Sequence, residues 1–277
     1  MSTTMVDFTA DSAVQALGDG RYAAHVTPHW SAPIGPNGGY IAAIIVRAIE
    51  AEVAAPAFHI RTLTLHYLRS PAVDADAQVE VTVERAGRTV TTVVARFLQD
   101  DRVCVLALAS LATSFPDAIT YRTPPPDVPA FAGLDPITPP AEAPEIAHRL
   151  DVRYALGPPP FRGADEAVSG GWLRLTNPPR AVDAALLALL VDAWLPTAWF
   201  RLSGPVPAPT VELTIHFRAP LVALTLDASD PLLVRFSSRT AHDGLFEEDG
   251  EVWGPGGVLL AHSRQLALMR VTNEEIP

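Results

Sequence analysis

The sequence predicts an α+β chain written twice, each copy an antiparallel sheet wrapped around one long apolar helix. Three observations carry this. One motif occurs in two places, as Leu63-Thr64-Leu65-His66-Tyr67-Leu68-Arg69-Ser70-Pro71 and as Leu213-Thr214-Ile215-His216-Phe217-Arg218-Ala219-Pro220. Each copy follows an apolar helical segment and precedes alternating runs rich in β-branched residues. The distance between the copies far exceeds the ~20–50 residues of a solenoid or propeller unit, so the repeat is a duplicated domain.

The first copy opens with an expected strand, Arg21 to Trp30, and a turn, Pro33 to Gly39. The run Tyr40 to Ile49 is apolar on nearly every side, which predicts a helix buried by a surrounding sheet. His59–Pro71, Ala77–Glu84, Thr89–Gln99 and Val103–Thr113 read as antiparallel strands, with turns at Ala86-Gly87-Arg88 and Asp100-Asp101-Arg102. Nine prolines between Pro116 and Pro144 exclude continuous helix or central strand and predict a linker. The second copy repeats the plan, with strands at Leu150–Leu156 and Gly171–Thr176 and a helix from Ala181 to Leu195, ended by Pro196. Its meander follows at Thr210–Pro220, Leu232–Thr240, Gly244–Val252 and Gly257–Met269. The expected units are residues 1–115, a Pro-rich linker 116–147, and residues 148–277. One all-apolar helix with one long curved sheet is stable only if the sheet wraps the helix, which is the hotdog fold, here in tandem. The two sheets are expected to join edge to edge, removing exposed strand edges.

Composition limits function. The 277 residues are 48% hydrophobic, enough for two cores, and carry a net charge of −11. All 20 basic residues are arginine. That balance argues against nucleic acid or an anionic membrane as partner, since both need basic patches. The lone Cys104, in an apolar strand, reads as a buried thiol and allows no disulfide within the chain, as in a reducing compartment. The N-terminal Met1–Asp7 lacks the features of a signal peptide, and no apolar stretch is long enough to span a bilayer. The expected location is cytoplasmic.

The sequence resembles the double-hotdog acyl-CoA thioesterases of the thioesterase II type, and their bacterial thioesterase-like branch, over nearly the whole chain except the linker. The resemblance rests on Pro36-Asn37-Gly38-Gly39-Tyr40, Gly87-Arg88-Thr89-Val90-Thr91 and Gly257-Val258-Leu259-Leu260-Ala261-His262-Ser263-Arg264-Gln265, in that order across a duplicated chain. It implies hydrolysis of acyl-CoA to free acid and CoA, with no metal or cofactor, by a protein pairing as a homodimer of double hotdogs. In that family an Asp, a Thr and a Gln of the second half hold the hydrolytic water. By resemblance these fall on Asp192 in the second helix, Thr210 at the start of the following strand, and Gln265 in the last strand. Thr214 is the rival of Thr210.

The residues themselves point the same way, each with a plainer reading beside it. A carboxylate in an otherwise apolar helix is expensive to bury unless paired or working, so Asp192 is either a base for water or a solvated residue near a helix end. Gln265 interrupts an apolar strand and is either a water-orienting amide, able to donate to Asp192, or an outward polar residue; Thr210 is either a further hydroxyl contact or a plain strand start. Asn37, Gly38 and Gly39 would let a substrate approach the start of the first helix, whose free N–H groups could polarise the thioester oxygen, or they form only a packing turn. Gly38, Gly39 and Asp192 would then make one composite site. Arg88, with Arg61 and Arg69 as further candidates, would meet the CoA phosphates, and an acyl tunnel is expected between helix and sheet. Aligning the copies sets Ser110 opposite Gln265 and Arg47 roughly opposite Asp192, which predicts one working site and one relic. His66 and His216 read as structural, and Glu247, Glu248, Asp249 and Glu251 as a solvated acidic hairpin tip. No metal-ligand spacing, nucleophile elbow or P-loop is present. The alternative is a non-catalytic acyl-thioester binding protein; a hotdog enoyl-CoA hydratase ranks behind both, for want of an Asp–His dyad.

Overall fold

The structure, a computed structural model, describes residues 6–115, 118–219 and 221–269. Pro116, with which the expected linker begins, Pro220 of the repeated motif and Met1–Met5 at the N-terminus lie outside the described residues. The first half comprises α1 (Phe8–Asp11), β1 (Gln15–Gly18), β2 (Arg21–Val26), the short hairpin β3 (Ser31–Ala32) and β4 (Gly35–Pro36), α2 (Gly38–Val53), β5 (His59–Tyr67), β6 (Ala75–Ala86), β7 (Val90–Gln99) and β8 (Arg102–Ala112). The second comprises β9 (Leu150–Leu156), β10 (Ala167–Leu175), α3 (Ala184–Leu190), β11 (Thr210–Phe217), α4 (Leu221–Leu224), β12 (Leu232–Ser238), β13 (Ala241–His242), β14 (Leu245–Gly254) and β15 (Val258–Leu268).

All of these strands except the separate β3–β4 hairpin form one sheet in the order β1-β2-β6-β7-β8-β5-β11-β15-β14-β12-β10-β9, with β13 beside β14. The two halves are mirrored in that order, and the fold is the expected tandem hotdog. The seam is the antiparallel pair β5–β11, in which Thr64 faces Thr214, Thr62 faces His216 and His66 faces Glu212. Thr64 and Thr214 are also equivalent in the repeated motif, so a local two-fold axis passes between their hydroxyls, 3.0 Å apart. Cys104 is buried, as expected.

Both helices fill the inside of this sheet. In α2, residues Gly39 to Val46, Ala48 and Ile49 are all buried, as is every residue of α3. Each large aliphatic side chain removed from water in this way is worth about 1.5–3 kcal/mol, which outweighs the poor helix propensity of the α2 isoleucines. Asn37 caps α2 by accepting from Tyr40 N–H, and Asp183 caps α3 by accepting from Leu186 N–H.

Several expectations shift. The first strand stops at Val26, because Pro28 opens a 3₁₀ turn that ends at Trp30. The second helix is shorter than Ala181–Leu195: its C-cap is Val191, so Asp192 lies just past the helix rather than within it. Glu247, Glu248, Asp249 and Glu251 lie within β14, not at a hairpin tip. The Pro-rich segment runs against the far edge of the sheet, where Ile137 N–H donates to Val152 of β9 at 2.8 Å and the Arg153 guanidinium lies 3.6 Å above the Phe131 ring. Among the described residues, no helix is long and apolar enough to cross a membrane.

Candidate active site

Where the start of α2 meets the end of α3, the two halves touch through Gly39. A Cβ there would lie 2.5 Å from the Ala188 carbonyl oxygen and 2.9 Å from Asp192 Cβ, so only glycine allows this approach. Ending α3 early turns Asp192 back toward the start of α2. Its Oδ2 accepts from Gly39 N–H at 2.8 Å and from Asn37 Nδ2 at 3.1 Å. The same Asn37 nitrogen donates to the Asp192 backbone carbonyl at 2.8 Å, and the Tyr67 hydroxyl donates to the Gly38 carbonyl at 2.8 Å. Loss of water raises the Asp192 carboxyl to about 7; the Glu248 charge raises it too, while the Gly39, Asn37 and Gly38 donors oppose the rise. The expected pairing of Gly38 and Gly39 with Asp192 is therefore present in the geometry. Gly39 N–H is not free, however, since it serves the carboxylate.

Thr210 and Gln265, on the neighbouring strands β11 and β15, meet through a backbone irregularity. A β-bulge between Thr210 and Glu212 breaks the alternation of β11. It turns Thr210 to the side of Gln265, whose Oε1 accepts from the Thr210 hydroxyl at 2.8 Å. Thr214, the rival, bonds Thr64 and Glu212 instead. The amide Nε2 of Gln265 donates to Glu248 Oε1 at 2.8 Å, rather than to Asp192. Glu248 is only 3% exposed, and its Oε2 accepts from both the N–H and the hydroxyl of Thr197 at 2.6 Å. This carboxylate, which the sequence reading placed in solvent, is buried against the candidate Gln265. Its signal was available: alternation along β14 puts Glu248 on the same face as the buried Phe246 and Val252.

Arg88 stands exposed in the β6–β7 turn and makes no hydrogen bond or ion pair with these residues. Arg61 and Arg69 are held at Ser114 and the Val103 carbonyl. A groove of about 850 Å³ lies on the second half, lined by Arg235, Arg239, Asp249, Glu251 and Arg264, and its charge is unlike an acyl tunnel. His216 stacks on His262 with ring centroids 4.7 Å apart.

The register corrects the comparison of halves. Leu213 faces Gln265, and the equivalent Leu63 faces Ala109, so Ala109 and not Ser110 is the counterpart of Gln265. By the same pairing Glu248 corresponds to Val93 and Thr210 to Ile60. Counting from the two N-caps, Asp192 corresponds to Val46, the neighbour of Arg47. Where Asn37 holds Asp192, its counterpart Asp183 instead pairs with Arg47 at 2.7 Å. Four polar groups in one half are thus Val46, Ile60, Val93 and Ala109 in the other, all buried.

A family profile described as the acyl-CoA thioesterase C-terminal domain matches residues 117–269, and one described as the N-terminal domain matches residues 26–112. The chain belongs to the acyl-CoA thioesterase family. This thioesterase is accordingly a thioester hydrolase. It is similar to a proposed thioesterase II from Thermobifida fusca, at 30% identity and TM-score 0.83, over 96% of this chain and 98% of that one. A hot dog fold protein of unknown function from Alicyclobacillus acidocaldarius matches at 26% identity and TM-score 0.86, over 97% and 100% of the two chains. The acyl-CoA thioesterase II TesB2 of Mycobacterium marinum, at 20% identity and TM-score 0.77 over 97% and 100%, shares the fold. A search of curated proteins gives no match.

Proposed function

We propose that this thioesterase hydrolyses acyl-CoA with a water held by Asp192, Thr210 and Gln265. The observation that carries this is the Asp192 carboxylate, supplied by one half, gripped by the helix start of the other, and raised to about 7. A carboxyl near neutrality both takes and returns a proton at working pH. Asp192 removes a proton from the water as its oxygen attacks the thioester carbonyl carbon. Collapse of the tetrahedral adduct breaks the carbon–sulfur bond, and the proton held by Asp192 passes to the leaving CoA sulfur. Gln265 Oε1 accepts the second water proton, and the Thr210 oxygen stands beside it. Asn37, Gly38 and Gly39 hold Asp192 and bring the positive end of α2 to the reacting carbonyl. Arg88 is a candidate for the CoA phosphates.

The test is thiol release from a panel of acyl-CoAs by wild type and Asp192→Asn. The variant is expected to lose at least ~100-fold in kcat while still binding acyl-CoA. Near-normal turnover in it would sink the assignment. Absence of turnover in the wild type, with acyl-CoA bound, would favour a binding protein.

A further inference from the structure

We propose that Glu248 is a positioning residue: it fixes which end of the Gln265 amide faces Thr210 and the reacting water. The inference rests on the reading of Asp192, Thr210 and Gln265 given above. Among the described residues, each hydrogen bond to Glu248 comes from a donor: Thr197 N–H and hydroxyl on Oε2, Gln265 Nε2 on Oε1. A backbone N–H has no other role, so only an acceptor can stand opposite it. With its nitrogen committed to Glu248, Gln265 must turn Oε1 toward Thr210, whose single hydroxyl proton is then spent on that oxygen. On the side of this pair, Thr210 Oγ1 and Gln265 Oε1 then present lone pairs, while the second Nε2 proton stays on the Glu248 side of the amide. That suits a water that gives up its protons, and would not suit one that must accept them.

The duplication supplies an independent argument. Glu248 faces Gln265 across β14–β15, and at the same place across β7–β8 Val93 faces Ala109. Carboxylate and amide are present together in one half and absent together from the other. Burying a carboxylate is costly, and the cost is borne only in the half that also carries the amide and Asp192.

Electrostatics adds a second readout. Asp192 is faced by Gly39, Gly38 and Asn37 from the start of α2, by Tyr67 from β5 and by the Glu248 charge from β14. Glu248 itself is faced by Thr197, Gln265 and the neighbouring Glu247. Removing its charge therefore eases ionisation of Asp192.

Glu248→Gln would put an amide nitrogen against either Thr197 N–H or Gln265 Nε2, and the second conflict is relieved by turning the Gln265 amide over. The experiment is acyl-CoA hydrolysis by the full chain from pH 5 to 9 for wild type, Glu248→Gln, Glu248→Asp and Asp192→Asn. In Glu248→Gln, kcat is expected to fall ~10-fold or more with KM within about 2-fold, and the acid limb to move to lower pH. Glu248→Asp keeps the charge but cannot span both partners, so its kcat is expected to fall while the acid limb stays in place. Wild-type kcat in either variant would overturn the proposal, as would an unmoved acid limb in a folded Glu248→Gln. Persisting turnover in Asp192→Asn would instead overturn the reading of the site itself.

Discussion

Asp192 and Gly39 come from opposite copies of the duplicated chain, and the 2.8 Å hydrogen bond between them is where the copies become one site. That bond favours the carboxylate, yet loss of water outweighs it and leaves the group near 7. A base works only when ionised, and Asp192 becomes protonated as pH falls through that value. The expected kcat/KM profile therefore rises with pH and reaches half its plateau near pH 7. A profile flat down to pH 5 would show that a different group supplies the base.

The same raised carboxyl affects stability with the opposite sign. Its folded value lies above the ordinary 3.8, so the native state holds a proton that the unfolded chain releases. The stabilisation is complete below about pH 4 and is lost as pH rises through about 7, by on the order of 4 kcal/mol at most. Asp192→Asn, which mimics the protonated side chain, should melt above the wild type at pH 8 and with it near pH 4. Melting curves at the two pH values check this.

Gly39→Ala should damage fold and function together. The added methyl meets the backbone oxygens of Ala188 and Leu189 at 2.5 and 2.8 Å, and backbone does not yield as a side chain would. Parting α2 from α3 costs about 1–3 kcal/mol and withdraws the donor from Asp192. A lower melting temperature with at least ~10-fold slower turnover is expected.

The relic half should tolerate change where the register turns a residue to the outer, half-buried face of β8, as at Ser110, and resist it on the buried apolar face. Ser110→Ala is expected to leave turnover nearly unchanged. Ala109→Gln would bury an amide between Ile60 and Val93, neither of which offers it a partner, at a cost of about 1–3 kcal/mol and without a second activity. Thermal melts and thiol release of the two variants separate these outcomes.

The repeated motif, the buried helices and most strand positions were legible because they follow hydrophobic period and turn chemistry, which a single sequence displays. Asp192 stood out as a charge in an apolar run. What escaped depends on parity. The bulge at Thr210 inverts the facing of one residue, so sequence spacing could not choose between Thr210 and Thr214. A slip of one residue in aligning β8 with β15 exchanged Ala109 for Ser110, since neighbours on a strand face opposite sides. Glu248 was hidden by its company: Glu247, Asp249 and Glu251 face outward around it, and a cluster of acids reads as solvated until their alternation is counted.

The long sheet also governs how this molecule meets others of its kind. Its interior edges are consumed in the β5–β11 seam. One outer edge is β1, only four residues long, and the other, β9, is shielded by the Pro-rich segment through Ile137 and Phe131. A sheet so finished offers little backbone to a strand from a neighbouring molecule, which disfavours the commonest route from a β-rich protein to a fibre. The faces of the sheet, by contrast, present side chains rather than backbone to a neighbour.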